Sequence, residues 1–149
     1  MVTVYTGGVF DVLHLGHLRL LARARALGDR LVVGVQADEA VCSIPGKRAP
    51  ILSTEERVAQ MRALPFADEV IVYHVSTNPE TVARVRPDVF VHGEDWPRQT
   101  DRSRVIRYLE EHGIRLVLLP RTEGISCTDL RRRIVRAEMS GGGHNDLGT

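Results

Sequence analysis

Two histidines near the start of the chain, His14 and His17, have a type and spacing suited to binding phosphate. They stand three positions apart with Gly16 between them, and they follow the pair Gly7–Gly8. At the start of a helix this spacing puts both imidazoles on one side, where they can reach the same phosphate. The first N–H groups of a helix are unpaired and attract anions, and glycines let an anion come close. Because histidine can carry charge near neutral pH, the segment predicts a phosphate-binding turn of a nucleotide site.

A second group of candidate residues runs from Arg121 to Thr128. Arginine can hold phosphate oxygens through two parallel hydrogen bonds. Ser126 and Thr128 place hydroxyl groups at the first turn of a predicted helix, where backbone N–H groups face the same anion. The segment is therefore a candidate phosphate site, although the same residues also suit an ordinary loop with a good helix cap.

The loop His92–Trp96 is a candidate contact for the base or the sugar of a nucleotide. Gly93 would let either group come close, because glycine has no Cβ atom. A carboxylate, Glu94 or Asp95, could accept a hydrogen bond from an exocyclic amine or a ribose hydroxyl. Trp96 could pack beside the sugar or over the base. An acidic surface turn with a half-buried tryptophan explains the same residues.

Other charges could serve the same pocket. Asp11 precedes a predicted helix and could orient a histidine or help to hold a metal ion. The segment Ala40–Leu52 is long and polar enough to be a mobile lid, and it carries Lys47 and Arg48. Arg57 lies just beyond it. Each of these charges, taken alone, also suits a solvated surface position.

The composition excludes several classes of function. A net charge of +1 over 149 residues gives no overall field that would gather nucleic acid or a membrane surface, and the run Arg131–Arg136 is predicted to form a solvated helix face. Cys42 and Cys127 are far apart in sequence, so we expect neither a disulfide framework nor a zinc site with closely spaced ligands. A reducing cytoplasm is the expected location. No apolar run reaches the roughly 20 residues of a membrane helix.

Strand-like and helix-like patterns alternate along the chain. The predicted strands are Val2–Tyr5, Leu31–Val35, Val70–Val72, Val89–Val91 and Leu116–Leu119. Helices are predicted after His17 with an end at Gly28, over 54–63, after Asn78–Pro79, over 102–112, and from the Ser126 cap to about residue 139. The pattern predicts an α/β fold, a Rossmann-like doubly wound five-stranded parallel sheet with helices on both faces. The loops after the strands would then meet at the ligand-binding edge.

The chain length suits one domain, which we expect to span 1–139. The remaining residues, 140–149, are rich in glycine and resemble a flexible tail or the start of a linker. We therefore expect that a further domain could be fused downstream.

Taken together, these motifs resemble the cytidylyltransferases, most closely those that act on glycerol 3-phosphate. The shared motifs are Gly-x-Phe-Asp-x-x-His-x-Gly-His at 8–17, Gly-Glu-Asp-Trp at 93–96 and Arg-Thr-Glu-Gly-Ile-Ser at 121–126. The resemblance covers about residues 2–134. It implies a homodimer that uses CTP and Mg²⁺, transfers CMP to a small phosphorylated acceptor and releases pyrophosphate.

The resemblance also assigns residues to roles. The expected catalytic residues are His14, His17, Lys47, Arg48 and Arg121. The expected nucleotide contacts are Gly8, Val9, Phe10, Asp11, Gly16, Gly93, Asp95, Trp96, Thr122, Glu123, Gly124, Ile125, Ser126 and Thr128. Asp11 is also a weak candidate Mg²⁺ ligand, since the ion is expected to bind mainly through the CTP phosphates.

The acceptor half of the pattern departs from that family. The glycerol phosphate enzymes hold the acceptor with further lysines, but segments 43–46 and 74–79 contain none. A hydroxyalkylphosphonate such as 2-hydroxyethylphosphonate is therefore an alternative acceptor. Two further alternatives stay open: an adenylyltransferase acting on a sugar phosphate or a flavin, and a nucleotide sensor without catalysis.

Overall fold

The computed structural model describes residues 1–75, 79–96 and 102–141, and they build one α/β unit. The strands are β1 (Thr3–Gly8), β2 (Arg30–Gln36), β3 (Glu69–Tyr73), β4 (Val89–Gly93) and β5 (Arg115–Leu119). Within these ranges the helices are α1 (Leu15–Arg25), α2 (Asp38–Cys42), α3 (Thr54–Ala63), α4 (Glu80–Val85), α5 (Ser103–Glu111) and α6 (Cys127–Ser140).

The five strands form one parallel sheet in the order β3-β2-β1-β4-β5. The chain runs outward from β1 in both directions, so the order reverses between β1 and β4. Loops that leave the carboxyl ends of these two strands diverge and open a crevice there. The predicted doubly wound fold is confirmed.

Two apolar clusters cover the two faces of the sheet. One joins α1 and α3 to the sheet through Leu21, Val33, Val58 and Met61. The other joins α4 and α5 to the sheet through Tyr5, Val82, Phe90 and Leu109. Because β2 is covered on both faces, its sequence is a continuous apolar run rather than an alternating one.

Local sequence signals set several helix ends. Ser53 and Glu56 form the predicted capping box at the start of α3. Gly113 follows α5 with a φ of 64°, the left-handed conformation that ends many helices. Gly28, by contrast, was predicted to end α1 in the same way, but Ala26 caps that helix. Gly28 is required for space, since an added Cβ would lie 2.7 Å from the carbonyl oxygen of Val2.

A further difference concerns the predicted lid. The predicted lid begins inside α2, an unpredicted helix whose Ala40 and Val41 are buried, so only residues after Cys42 are available as a lid. The predicted N-cap Asn78 and most of the predicted tail, residues 142–149, lie outside the described residues.

In the described part of the chain, no helix has both the length and the apolar character needed to cross a membrane.

Candidate active site

A cleft of about 1260 Å³ opens at the carboxyl edge of the sheet, between the ends of β1 and β4. Its walls come from the β1–α1 loop, the exposed loop after α2, the end of β4 and the β5–α6 loop. The predicted residues that line it are Gly8, Val9, Phe10, Asp11, His14, Gly16, His17, Lys47, Arg48, Gly93, Asp95, Arg121, Thr122, Ile125, Ser126 and Thr128. The structure therefore brings most of the predicted site residues together.

The two histidines form the N-terminal cap of α1. His14 is the N-cap residue, and its Nδ1 accepts a hydrogen bond from the Gly16 N–H at 3.0 Å. His17 reaches back, and its Nδ1 accepts from the His14 N–H at 3.3 Å. The ring centroids are 3.9 Å apart. The pair thus forms a reciprocal cap like that of serine and glutamate, built here from imidazoles.

This arrangement fixes the tautomer of both rings. A neutral imidazole has one donor nitrogen and one acceptor nitrogen. Because both Nδ1 atoms accept from backbone N–H groups, the proton of each ring lies on Nε2. His14 and His17 therefore present two neutral N–H donors from the start of a helix that lines the cleft.

Burial favours the neutral form of both rings. Desolvation lowers the pKa of His14, and desolvation together with the neighbouring His14 lowers the pKa of His17 to about 4. In the ligand-free site both shifts favour the neutral imidazoles over the charged ones. The pair acts through oriented N–H dipoles.

Gly16 is needed because of the His14 ring. A Cβ atom at this position would lie 2.8 Å from Cε1 of His14 and 3.0 Å from its Nδ1. The ring would have to leave the Gly16 N–H that it caps. The same Cβ position is 3.7 Å from Cβ of Thr122, so the β5–α6 loop runs beside this turn.

The start of α6 faces the same turn. Ser126 is the N-cap, and its Oγ accepts from the Asp129 N–H at 3.1 Å. The next residue, Cys127, donates its thiol to the backbone oxygen of Asp11 at 3.0 Å. Two helix N-termini, those of α1 and α6, therefore meet across one part of the cleft, and both favour negative charge.

Asp11 holds three segments together, which differs from its predicted role. Its side chain is buried, accepts hydrogen bonds from the N–H groups of Ile51 and Leu52 at 2.7 and 3.0 Å, and pairs with Arg131 of α6 at 3.2 Å. Both carboxylate oxygens thus have partners within the protein. Asp11 anchors the end of the lid, and it does not hydrogen-bond to His14 among the described contacts.

Arg57 is a fully buried residue that the sequence did not distinguish from a solvated charge. Its guanidinium donates to the backbone oxygens of Val9, Gln36 and Leu52 at 2.7–3.1 Å, and it pairs with Asp38 at 2.6 Å. These acceptors belong to the ends of β1, β2 and the lid. Arg57 therefore fixes the loops that shape one wall of the cleft.

Three predicted nucleotide contacts are placed elsewhere. Trp96 is 3% exposed, and its ring packs on Phe90 in the core cluster. Glu123 and Gly124 do not line the cleft as the described residues define it. Gly124 makes the turn before α6 with a φ of 76°. The structure thus does not place the indole of Trp96 where a base could stack on it.

Several arginines that were not predicted to belong to the site line the cleft. They are Arg19, Arg23, Arg131, Arg132 and Arg136, on α1 and α6. The run Arg131–Arg136, predicted to be a solvated face, is thus partly a wall of the site. The spacing of four in both pairs, 19/23 and 132/136, was the signal that each pair shares one side of its helix.

Cys127 joins the two histidines in one cluster, which its sequence distance did not predict. Ligand-type atoms of His14, His17 and Cys127 all lie within 4.8 Å of one another. Metal binding through Nε2 would require the ring proton on Nδ1, where each ring now accepts a backbone hydrogen bond. The hydrogen bonds therefore favour imidazoles that donate to an anion. Magnesium prefers oxygen ligands, and phosphate oxygens of a nucleotide would supply them.

Comparison with known proteins shows which family model and which relatives this chain resembles. The cytidylyltransferase-like family model matches residues 5–133. The bifunctional protein HldE of Syntrophotalea carbinolica is 36% identical over 132 residues, covering 89% of this chain and 26% of the relative. The HldE of Campylobacter concisus is 35% identical over 136 residues, covering 91% of this chain and 27% of the relative. The chain thus spans about a quarter of these curated relatives.

Solved structures give the same result for the fold. The lipopolysaccharide core biosynthesis protein of Thermoplasma volcanium is 32% identical, with a TM-score of 0.67 over 82% of this chain and 97% of that one. A pantothenate synthetase of Thermus thermophilus has a TM-score of 0.60 at 21% identity, over 96% of this chain and 71% of that one. The second likeness concerns the fold alone.

Proposed function

Because this chain belongs to the cytidylyltransferase-like family, we propose that it is a nucleotidyltransferase that moves CMP from CTP to an oxygen of a small phosphate or phosphonate, with release of pyrophosphate. Glycerol 3-phosphate and a hydroxyalkylphosphonate such as 2-hydroxyethylphosphonate are the acceptors to test first. The observation that carries the proposal is the pair of Nε2–H donors on His14 and His17, which lie beside the N-terminus of α6 at a single cleft.

The proposed chemistry needs no strong base. An acceptor oxygen, already anionic at pH 7, attacks the α-phosphorus of CTP in line. The bond from that phosphorus to the bridging oxygen breaks, and pyrophosphate leaves with the electron pair. Catalysis then depends on bringing two anions together and on stabilising charge on the phosphate oxygens. No covalent intermediate with the protein is expected.

Each group of cleft residues would have a separate role in this reaction, according to its position. His14 and His17 would donate to oxygens of the α- and β-phosphates. Arg121, with the arginines of α1 and α6, would hold the leaving pyrophosphate. Lys47 and Arg48 would close over it from the lid. Mg²⁺ bound to the nucleotide would neutralise phosphate charge.

The nucleoside would lie toward β4. The backbone of Val9 and Phe10 lines the cleft there, and Phe10 has a φ of 52°. A bulky residue in this conformation is strained, and the strained position is held because Arg57 binds the carbonyl oxygen of Val9. Asp95, which also lines the cleft, is the proposed acceptor for a ribose hydroxyl or an exocyclic amine.

A second candidate, adenylyl transfer to a sugar phosphate, is supported by one relative. The Thermoplasma volcanium protein, 32% identical, is described as a lipopolysaccharide core biosynthesis protein. Fusion to a further domain is also part of the proposal, since the relatives called bifunctional are about four times as long as the match. We expect a homodimer, as the family resemblance implies, and a location in the cytoplasm, as the two distant cysteines indicate.

An assay of pyrophosphate release distinguishes these candidate functions. Each of CTP, ATP, GTP and UTP is incubated with Mg²⁺ and glycerol 3-phosphate, small hydroxyphosphonates, phosphocholine, phosphoethanolamine or sugar phosphates. CTP-dependent release with a phosphate or phosphonate supports the proposal, and ATP-dependent release with a sugar phosphate supports the second candidate. Calorimetric nucleotide binding without release under any acceptor would instead favour a sensor.

A further inference from the structure

The β1–α1 turn is strained on both sides of Asp11. Phe10 and Val12 have φ values of 52° and 46°, a left-handed conformation that bulky and β-branched residues rarely adopt. Such residues keep this conformation only where the surrounding structure holds them in it. Asp11 lies between them and is 3% exposed, so its contacts help to hold the turn that leads into His14.

One side of α6 binds Asp11 at two points. Cys127 donates its thiol to the backbone oxygen of Asp11 at 3.0 Å, and Nη2 of Arg131 lies 3.2 Å from the Asp11 carboxylate. Residues four positions apart in a helix share one side, so both contacts use the same side of α6. The distance between the N-termini of α1 and α6, which meet at the cleft, therefore depends on Asp11.

The same carboxylate binds the end of the lid. Its Oδ2, which accepts from Arg131, also accepts from the N–H of Ile51 at 2.7 Å, and its Oδ1 accepts from the N–H of Leu52 at 3.0 Å. Arg48, a cation of the lid, is only three residues before Ile51. The position of the lid cations relative to the phosphate site thus depends on the pair of Asp11 and Arg131.

Arg131 differs from Arg57, the other arginine that holds these segments. Arg57 donates to the backbone oxygens of Val9 and Leu52, but its side chain is fully buried and does not line the cleft as the described residues define it. The Arg131 side chain is 30% exposed and lines the cleft. Of these two arginines, only Arg131 is therefore placed where a bound phosphate changes its surroundings.

The charge of Asp11 acts on the phosphate-binding residues. Asp11 lines the cleft, and a buried carboxylate beside a phosphate site repels phosphate unless a cation offsets it. Burial and then the Asp11 charge raise the pKa of Cys127, and the Arg131 charge lowers it. At His17, burial and then His14 lower the pKa, whereas the Asp11 charge raises it. Arg131 therefore offsets a negative charge that reaches both α1 and α6.

We propose that Arg131 is a positioning residue for the nucleotide: through Asp11 it offsets the carboxylate beside the phosphate site and holds the lid and the two helix N-termini in place. Arg131 acts through Asp11, which leaves Arg132 and Arg136 as the α6 arginines for the pyrophosphate. The nucleotide is that of the proposed function, on which this inference rests, whereas the pair of Asp11 and Arg131 can be tested without turnover.

Amide exchange measured by NMR tests the link to the lid in the ligand-free protein. Arg131→Met removes the pair, Arg131→Lys keeps a cation, and Arg104→Met replaces an exposed arginine outside the cleft as the matched control. Arg131→Met should speed exchange of the Ile51 and Leu52 amides by about 10-fold or more, because it loosens the carboxylate that accepts from them. Arg131→Lys should stay within about 3-fold of the parent protein, and Arg104→Met within about 2-fold.

Calorimetry with CTP, ATP and inorganic tripolyphosphate, each with Mg²⁺, tests the link to the phosphate site. Arg131→Met should weaken tripolyphosphate and the bound nucleotide by about 10- to 100-fold, because the carboxylate is left without its cation. With an acceptor that is turned over, the KM for the nucleotide should rise by a similar factor, while the KM for the acceptor stays within about 2-fold.

A double variant separates action through Asp11 from direct contact with phosphate. Removing the carboxylate charge as well should restore part of the loss, so Asp11→Asn combined with Arg131→Met should bind tripolyphosphate about 3-fold or more tightly than Arg131→Met alone. A merely structural role does not predict this recovery, because removing both partners loosens the turn further.

Unchanged exchange of the Ile51 and Leu52 amides in Arg131→Met would overturn the proposal. So would a double variant that binds tripolyphosphate no more tightly than Arg131→Met, since Arg131 would then contact the phosphate itself. If Arg131→Met does not fold, Arg131→Gln replaces it in both measurements, with the same expected directions and the same overturning results. If these changes are observed but no nucleotide releases pyrophosphate, the positioning role is supported and the proposed function is the part that fails.

Discussion

Replacing His17 by glutamine or asparagine tests which imidazole nitrogen faces the phosphates. The glutamine amide reaches the position of Nε2, and the asparagine amide reaches that of Nδ1. His17→Gln therefore keeps a donor toward the cleft, whereas His17→Asn keeps only the acceptor for the His14 N–H. If Nε2–H is the working donor, His17→Gln should retain activity and His17→Asn should behave like His17→Ala.

The magnitudes follow from the two hydrogen bonds. Loss of one preorganised donor to the transition state lowers kcat by about 10²–10³, so we expect this for His17→Asn and His17→Ala, with His17→Gln within about 10-fold of the parent. The cap bond is long, at 3.3 Å. Loss of this bond should lower the free energy of unfolding by an amount near the lower end of the usual range of about 0.5–2 kcal/mol for a cap. The corresponding fall in Tm is about 1–3 °C.

The assay is pyrophosphate release at saturating nucleotide, with thermal unfolding of the same samples. His112→Gln, at an exposed histidine that does not line the cleft, serves as the control for turnover and should leave kcat unchanged. A kcat for His17→Asn equal to or above that of His17→Gln would refute the assignment of the tautomer. The pH profile gives an independent check, because His17 has a pKa of about 4 and remains neutral above pH 7. A kcat that falls about tenfold per pH unit between pH 7 and 9 would mean that a protonated imidazole is required.

Three predictions concern stability and are read from urea and thermal unfolding. Arg57→Met leaves buried carbonyl oxygens and Asp38 without their partner, so it should cost about 3–5 kcal/mol, against about 0.5 kcal/mol or less for exposed Arg62→Met. A loss below about 1 kcal/mol would contradict the role given to Arg57. Gly28→Ala should cost about 1–3 kcal/mol through the contact with Val2, and an unchanged Tm would show that the turn can relax. The free energy of unfolding should rise from about pH 4 to about pH 6.5, because the unfolded state binds more protons than folded His17 and His92 in that window. His92→Gln should flatten this rise, and an identical slope would contradict the assigned pKa.

Local signals in the sequence were enough for most of the fold. The near-continuous apolar run of β2 indicated a strand covered on both faces, and Ser53 with Glu56 marked the start of α3. The paired histidines marked a helix N-terminus at the end of a strand. Each of these signals depends on residues within about one helical turn, so chain neighbours alone determine it.

Roles that depend on distant partners could not be read in this way. The sequence made Asp11 a candidate metal ligand. In the structure its carboxylate instead accepts hydrogen bonds from Ile51 and Leu52 and pairs with Arg131. Arg57 has the same local pattern as a solvated arginine, yet it donates to three carbonyl oxygens from separate segments of the chain. Trp96 was predicted to contact the nucleotide, but its side chain is buried in the second apolar cluster.

The sequence by itself determined an alternating α/β chain, the helix start at His14 and His17, and the family. Tertiary structure alone decided which nitrogen of each ring is free, how deeply the rings are buried, and that Cys127 and Thr122 lie beside them. It also placed Arg102 next to Trp96 at the opposite face of the same edge. The physical reason is that periodicity and capping are short-range, whereas tautomer, pKa and charge partnership depend on groups that only the closed sheet brings together.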